Sequence, residues 1–149
     1  MRYQLDIDIA APRAHVLALF LDPDNLPKWQ PSLVRYERLG DGAAGQVGTQ
    51  SKQLHRMGKR EVDMIETITL NQYPDAFAAT YESGDVWNLI ENRFADAGDG
   101  RTAWTLTSDF RSTNLMMKVL MVCCPGMFKK QTRDFMIYFK DFVEATPQQ

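Results

Sequence analysis

The chain has 149 residues, 44% hydrophobic and 24% charged, with a formal net charge of −2 and two cysteines. That length suits a single domain with a real core, and the composition is that of an ordinary globular protein. Without a basic surplus, phosphate-driven nucleic-acid binding finds no support.

Tyr3, Leu5, Ile7 and Ile9 alternate with Gln4, Asp6 and Asp8, which predicts a half-buried strand over 3–9. The first residues lack the apolar core of a signal peptide. Pro12 suits the first position of a helix, and His15, Val16, Leu19 and Phe20 mark a short amphipathic one, stopped by Asp22-Pro23. Residues 24–30 hold another turn or two, with Trp29 as a core residue. Val34, Tyr36 and Arg38 begin a second strand. The glycine-rich stretch 40–48 has neither a helix start nor Lys-Ser/Thr behind it, so it reads as a hairpin loop rather than a phosphate cradle.

From Thr49 to Ser112 strand follows strand. Ser51, Gln53, His55 and Met57 share one face; Val62, Met64, Glu66 and Ile68 share a face of the next strand. Phe77, Ala79 and Tyr81 follow the turn at 71–75. Val86, Asn88, Ile90, Asn92 and Phe94 oppose Trp87, Leu89, Glu91 and Arg93. After the hairpin signal at 96–100, Trp104, Leu106, Ser108 and Phe110 alternate with Thr105, Thr107 and Asp109.

Ser112, Thr113 or Asn114 can cap the last element, a long helix over 113–145 kinked at Pro125. Phe128, Thr132, Phe135, Phe139 and Phe142 recur at steps of four and three and form one stripe, flanked by Met136 and Val143. Upstream of Pro125 the helix is apolar nearly all round, with Lys118 its one charge. That apolar stretch spans about half of the ~20 residues a membrane helix needs, so no transmembrane segment is expected. The neighbouring Cys123 and Cys124 are poorly placed to pair with each other. They read as buried thiols in a reducing, cytoplasmic setting. Two histidines and two cysteines fall short of the convergent ligands zinc requires, and no metal or cofactor is expected.

One strand, two short helices, about six antiparallel strands and one long helix predict an α+β domain over residues 1–146, with 147–149 a frayed tail. The sheet curls because strands twist, and the terminal helix is the only element able to fill its concave side. The chain resembles the START/Bet v 1-like (SRPBCC) superfamily of helix-grip proteins, in particular bacterial polyketide cyclase/dehydrase and lipid-transport-like members. The resemblance rests on Ile9-Ala10-Ala11-Pro12 with Val16, Phe20, Asp22-Pro23 and Trp29. It continues in Glu66-Thr67-Ile68 before Pro74, in Phe94 before Gly98-Asp99-Gly100, and in the closing helix from Phe128 to Phe135. It implies a curved sheet of about seven strands gripping the C-terminal helix. It permits several functions, because the superfamily includes carriers, cyclases and co-chaperones.

Burying unpaired polar groups costs free energy, so the polar residues assigned inward suggest either a mutual network or a wet pocket. The expected ligand-binding set is Met57, Met64, Glu66, Tyr81, Asn88, Asn92, Trp104 and Ser108, with Met117 and Met121 on the covering helix. An apolar or amphipathic small molecule, such as a lipid or polyketide-like compound, is the expected partner of a carrier or sensor. The alternative is a cyclase/dehydratase-type enzyme in which Glu66, His55 and Tyr81 move protons. A third reading is an interaction module resembling Hsp90-activator domains, using the outer face that carries Trp87 and Leu89. Oligomeric state is open.

Overall fold

The structure, a computed structural model, describes residues 1–148. Strand β1 (Arg2–Ile9) leads to helix α1 (Arg13–Phe20), a 3₁₀ turn (Pro23–Asn25) and the short α2 (Leu26–Trp29). Six strands follow: β2 (Leu33–Leu39), β3 (Gln50–Met57), β4 (Arg60–Gln72), β5 (Ala76–Ser83), β6 (Val86–Gly98) and β7 (Arg101–Ser112). Helices α3 (Leu115–Cys123) and α4 (Pro125–Ala145) close the chain.

The strands form one seven-stranded antiparallel sheet in the order β1-β7-β6-β5-β4-β3-β2. Six of the strands are joined as successive hairpins, and β1 returns beside β7. Register shifts between Leu33 and Arg35, Ile68 and Leu70, and Asp96 and Gly98 add to the curl. The β6–β7 turn runs through Gly98, Asp99 and Gly100, all at positive φ, a conformation glycine adopts without cost. The 40–48 loop is pinned to β4, with Gly48 N–H donating to the Ile68 carbonyl and Asn71 to the Gly45 carbonyl.

Helix α4 lies in the concave side against β1. Phe128, Met136, Phe139 and Val143 are its buried residues, with Phe135 and Phe142 packed beside them. The buried line is therefore turned toward Met136 and Val143, which the sequence reading placed at the edges of the stripe. The Thr132 and Tyr3 hydroxyls are hydrogen-bonded at 2.6 Å, tying the helix to β1. Phe20, Trp29, Phe94, Trp104 and Phe139 form the aromatic centre, with Phe139 4.8 Å from Trp29 and 5.4 Å from both Phe20 and Trp104.

Two expectations about the C-terminal helix are corrected. It is two helices rather than one kinked rod: Cys124 leaves helical geometry at φ −132° and ψ 52°, and α4 restarts at Pro125. A residue before proline is pushed out of the α region by the ring, and Pro125 offers no N–H to continue α3. Asn114 is the cap, accepting from the Met117 N–H. The second correction concerns Cys123 and Cys124, which are exposed free thiols rather than buried ones, because α3 does not settle into the concave side. The expected tail falls partly within the structure: Pro147 and Gln148 are exposed beside α1, and Gln149 lies outside the described residues. Among the described residues no helix is long and apolar enough to cross a membrane.

Candidate functional site on the concave face

Antiparallel pairing places residues of one parity side by side across the sheet. Ser51 pairs with Glu66, Glu66 with Tyr81, Tyr81 with Asn88 and Asn88 with Phe110. This row crosses the concave face from β3 to β7. Alternation alone put each of these residues inward; the registers make them neighbours.

At its centre is Glu66, half-buried on β4. Ser51 donates to Oε1 at 3.2 Å and the Tyr81 hydroxyl donates to Oε2 at 2.7 Å. From Ser51 the bonding continues along β3. Gln53 Nε2 donates to Ser51 Oγ at 3.2 Å, and His55 Nε2 lies 3.1 Å from Gln53 Oε1. Since that amide oxygen can only accept, His55 carries its proton on Nε2. Nδ1 then accepts from Ser32 Oγ at 2.9 Å. Every donor in the chain Ser32–His55–Gln53–Ser51 points toward the carboxylate. The phenol and the imidazole are thereby held in defined states. Burial, followed by the Glu66 charge and hydrogen bond, pushes the Tyr81 phenol well above its ordinary value. Burial first, and then the Glu66 charge, also raise Tyr36. Burial lowers His55 below its usual imidazole range, which agrees with the neutral tautomer.

The rest of the concave face divides in two. Under α4 it is dry: Trp104 and Ser108 are buried, and Asn92 Oδ1 accepts from the Trp104 indole at 3.0 Å. Asn92 and Trp104 thus satisfy each other inside the core. Ser108 donates to Asn88 Oδ1 at 2.8 Å, at the border of the dry region. Elsewhere on the concave face, Met64, Glu66, Ile68, Tyr81, Asn88 and Ile90 are only half-buried; Met117 and Met121 are half-buried on α3, which packs against β7 and α4. Met57 sits at the end of β3, 45% exposed. Of the residues expected to bind a ligand, the structure therefore gathers Met64, Glu66, Tyr81 and Asn88 on one half-open polar and apolar face. Ser108 borders that face. Asn92 and Trp104 lie in the packed core beyond it, and Met57 lies at the sheet's end.

Residues 1–136 match the family described as polyketide cyclase/dehydrase and lipid transport. The chain belongs to that family. No functionally curated protein matches it. Among solved structures, a protein of Thermus thermophilus superimposes with a TM-score of 0.80 at 15% identity, covering 99% of this chain and 100% of the other. The Zhui aromatase/cyclase of Streptomyces sp. R1128 gives 0.76 at 14% identity, covering 97% and 93%. Norcoclaurine synthase of Thalictrum flavum, solved with dopamine and hydroxybenzaldehyde, gives 0.74 at 13% identity, covering 100% and 89%. These likenesses establish the fold as the helix-grip fold of Bet v 1-like proteins, as the sequence implied.

Within this family member, Glu66 and Tyr81 are in direct contact, and His55 reaches them only through Gln53 and Ser51. Those two relay residues, with Ser32 and Tyr36, were not singled out from the sequence. The available signal was their alternation: Ser51 and Gln53 share the inward parity of His55. Chemically, the pair offers a carboxylate acceptor beside a neutral phenol donor. No cluster of His, Cys, Asp and Glu suited to a metal ion is found among the described residues. The outer-face Trp87 is half-buried under Arg111, whose guanidinium carbon stands 5.0 Å from the ring centre. Two surface depressions, of about 290 and 380 Å³, lie on the outer face by Lys52 and beside α1 at His15, away from this row.

Proposed function

We propose that the protein binds an apolar or amphipathic small molecule, of lipid or polyketide-like type, on the half-open part of the concave face formed by β3–β6. The observation that carries this reading is the Ser51–Glu66–Tyr81 cluster on a face that also carries the half-buried Met64, Ile68 and Ile90. Apolar walls with a few convergent polar groups suit a ligand with one hydroxyl or carbonyl end. Glu66 accepts from a hydroxyl, and Asn88 donates to a carbonyl through its amide nitrogen. The flexible thioether of Met64 lets that face adapt to different shapes. The two free thiols support a reducing cytoplasmic setting.

Native mass spectrometry of the purified protein, followed by denaturing extraction, tests this directly. A defined apolar compound that no longer co-purifies with Met64→Glu supports it. An empty protein whose melting temperature is unmoved by fatty acids, quinones, sterols or aromatic polyketides overturns it.

The direct Tyr81–Glu66 contact favours a second reading, a cyclase/dehydratase-type enzyme in which a substrate carbonyl takes over the Tyr81 hydrogen bond and the freed Glu66 oxygen accepts a proton. Loss of turnover with retained binding in Glu66→Gln separates the enzyme from the carrier.

A further inference from the structure

Helix α3 carries apolar side chains on two opposite sides. At about 100° per residue, Met117, Leu120 and Met121 gather on one side and Leu115, Met116, Val119 and Val122 on the other. The first set is half-buried, and α3 packs against β7 and α4. The second set faces solvent: Leu115 and Met116 are each 75% exposed, Val119 51% and Val122 81%. Met127, at the start of α4, adds another exposed apolar side chain. No residue of α3 is fully buried. A helix apolar all round belongs in a core or against an apolar medium. Closing α3 onto the sheet covers only its inner side, so the outer side requires a second apolar phase.

The charges nearest to it along the chain indicate which phase. From Thr113 to Arg133 the chain contains Lys118, Lys129, Lys130 and Arg133 and no acidic residue, although the whole protein carries a formal net charge of −2. All four cations are exposed, and among the described residues only Lys130 is paired, to Asp134. We propose that this face docks on an anionic lipid bilayer. Helix α3 lies in the headgroup layer, its outer side chains reach the acyl boundary, and the flanking cations meet phosphates. A second copy of the chain fits less well. A two-fold contact sets two cationic rims side by side. A nine-residue helix also offers less than the roughly 800 Å² per partner that stable interfaces bury. The inference rests on the outer side of α3 and stands whether or not the concave face binds a ligand.

Co-sedimentation with phosphatidylcholine vesicles, with and without phosphatidylglycerol, tests the proposal. The wild type is expected to sediment with the anionic vesicles and much less with phosphatidylcholine alone. The double variant Val119→Glu/Val122→Glu changes only exposed positions, and its circular dichroism and melting temperature control for folding. It should lose about tenfold or more of the binding. Lys118→Gln and Lys129→Gln should each lower binding about fivefold and flatten its dependence on phosphatidylglycerol. Failure of the wild type to bind anionic vesicles overturns the proposal, as does undiminished binding by a folded double variant. A concentration-dependent dimer in light scattering, abolished by the double variant and accompanied by no vesicle binding, assigns the face to a second copy and equally overturns it.

Discussion

Replacing Tyr81 with phenylalanine removes one oxygen and leaves the ring in place. In the wild type that oxygen donates to Glu66 Oε2 at 2.7 Å. Hydrogen bonds to charged groups contribute about 1.5–3 kcal/mol. Glu66 is half-buried and water can reach the vacated position, so the lower part of that range applies, about 1.5–2 kcal/mol. With an unfolding entropy of about 2.1 cal/mol/K per residue, a chain of 149 residues loses roughly 5 °C in Tm. The effect carries a pH signature. The Tyr81 phenol is raised well above 10.0 in the fold, so the native state holds this proton more tightly than the unfolded chain. The stabilisation is fully present below pH 10 and is lost as pH rises toward the folded value. The gap between wild type and Tyr81→Phe should therefore shrink in alkali. Urea unfolding at neutral and alkaline pH measures this, with Glu66→Gln and the double variant completing a thermodynamic cycle. A coupling energy within the roughly 0.3–0.5 kcal/mol scatter of independent sites refutes the network. So do stability curves that stay parallel above pH 10.

The buried His55 titrates below its ordinary value of 6.5, so its contribution to stability is present above that pH and declines as pH falls below it. An imidazole NMR titration with a midpoint at or above 6.5 contradicts the desolvated placement. Phe139 is fully buried among Phe20, Trp29 and Trp104, and Phe139→Ala should cost about 3–5 kcal/mol in chemical unfolding. A loss below about 1 kcal/mol means that the aromatic centre is not packed as described. Asn92→Leu strands the indole N–H of Trp104 in the core and should cost about 1–3 kcal/mol, whereas an unchanged midpoint shows that the indole has another acceptor.

Strands β1 and β3 to β7 and helix α4 were readable because each repeats its pattern several times. The inward parity of Ser51, Glu66, Tyr81 and Asn88 was readable for the same reason: a strand reverses its side chains at every residue. The break at Cys124 was half-readable, since Pro125 forbids continuity but does not say whether a helix bends or stops. The fate of α3 was not readable. A segment apolar on every side has no preferred face, and its sequence is the same whether it fills a core or lies exposed. For that reason Cys123 and Cys124 were expected inside and are found outside. The contact between Glu66 and Tyr81 is likewise a product of register, fixed by pairings between strands far apart in the chain. Local periodicity thus determined the fold and the side on which the polar residues lie. Long-range packing decided which of them touch, leaving Asn92 bonded to Trp104 in the core and Glu66 on a half-open face.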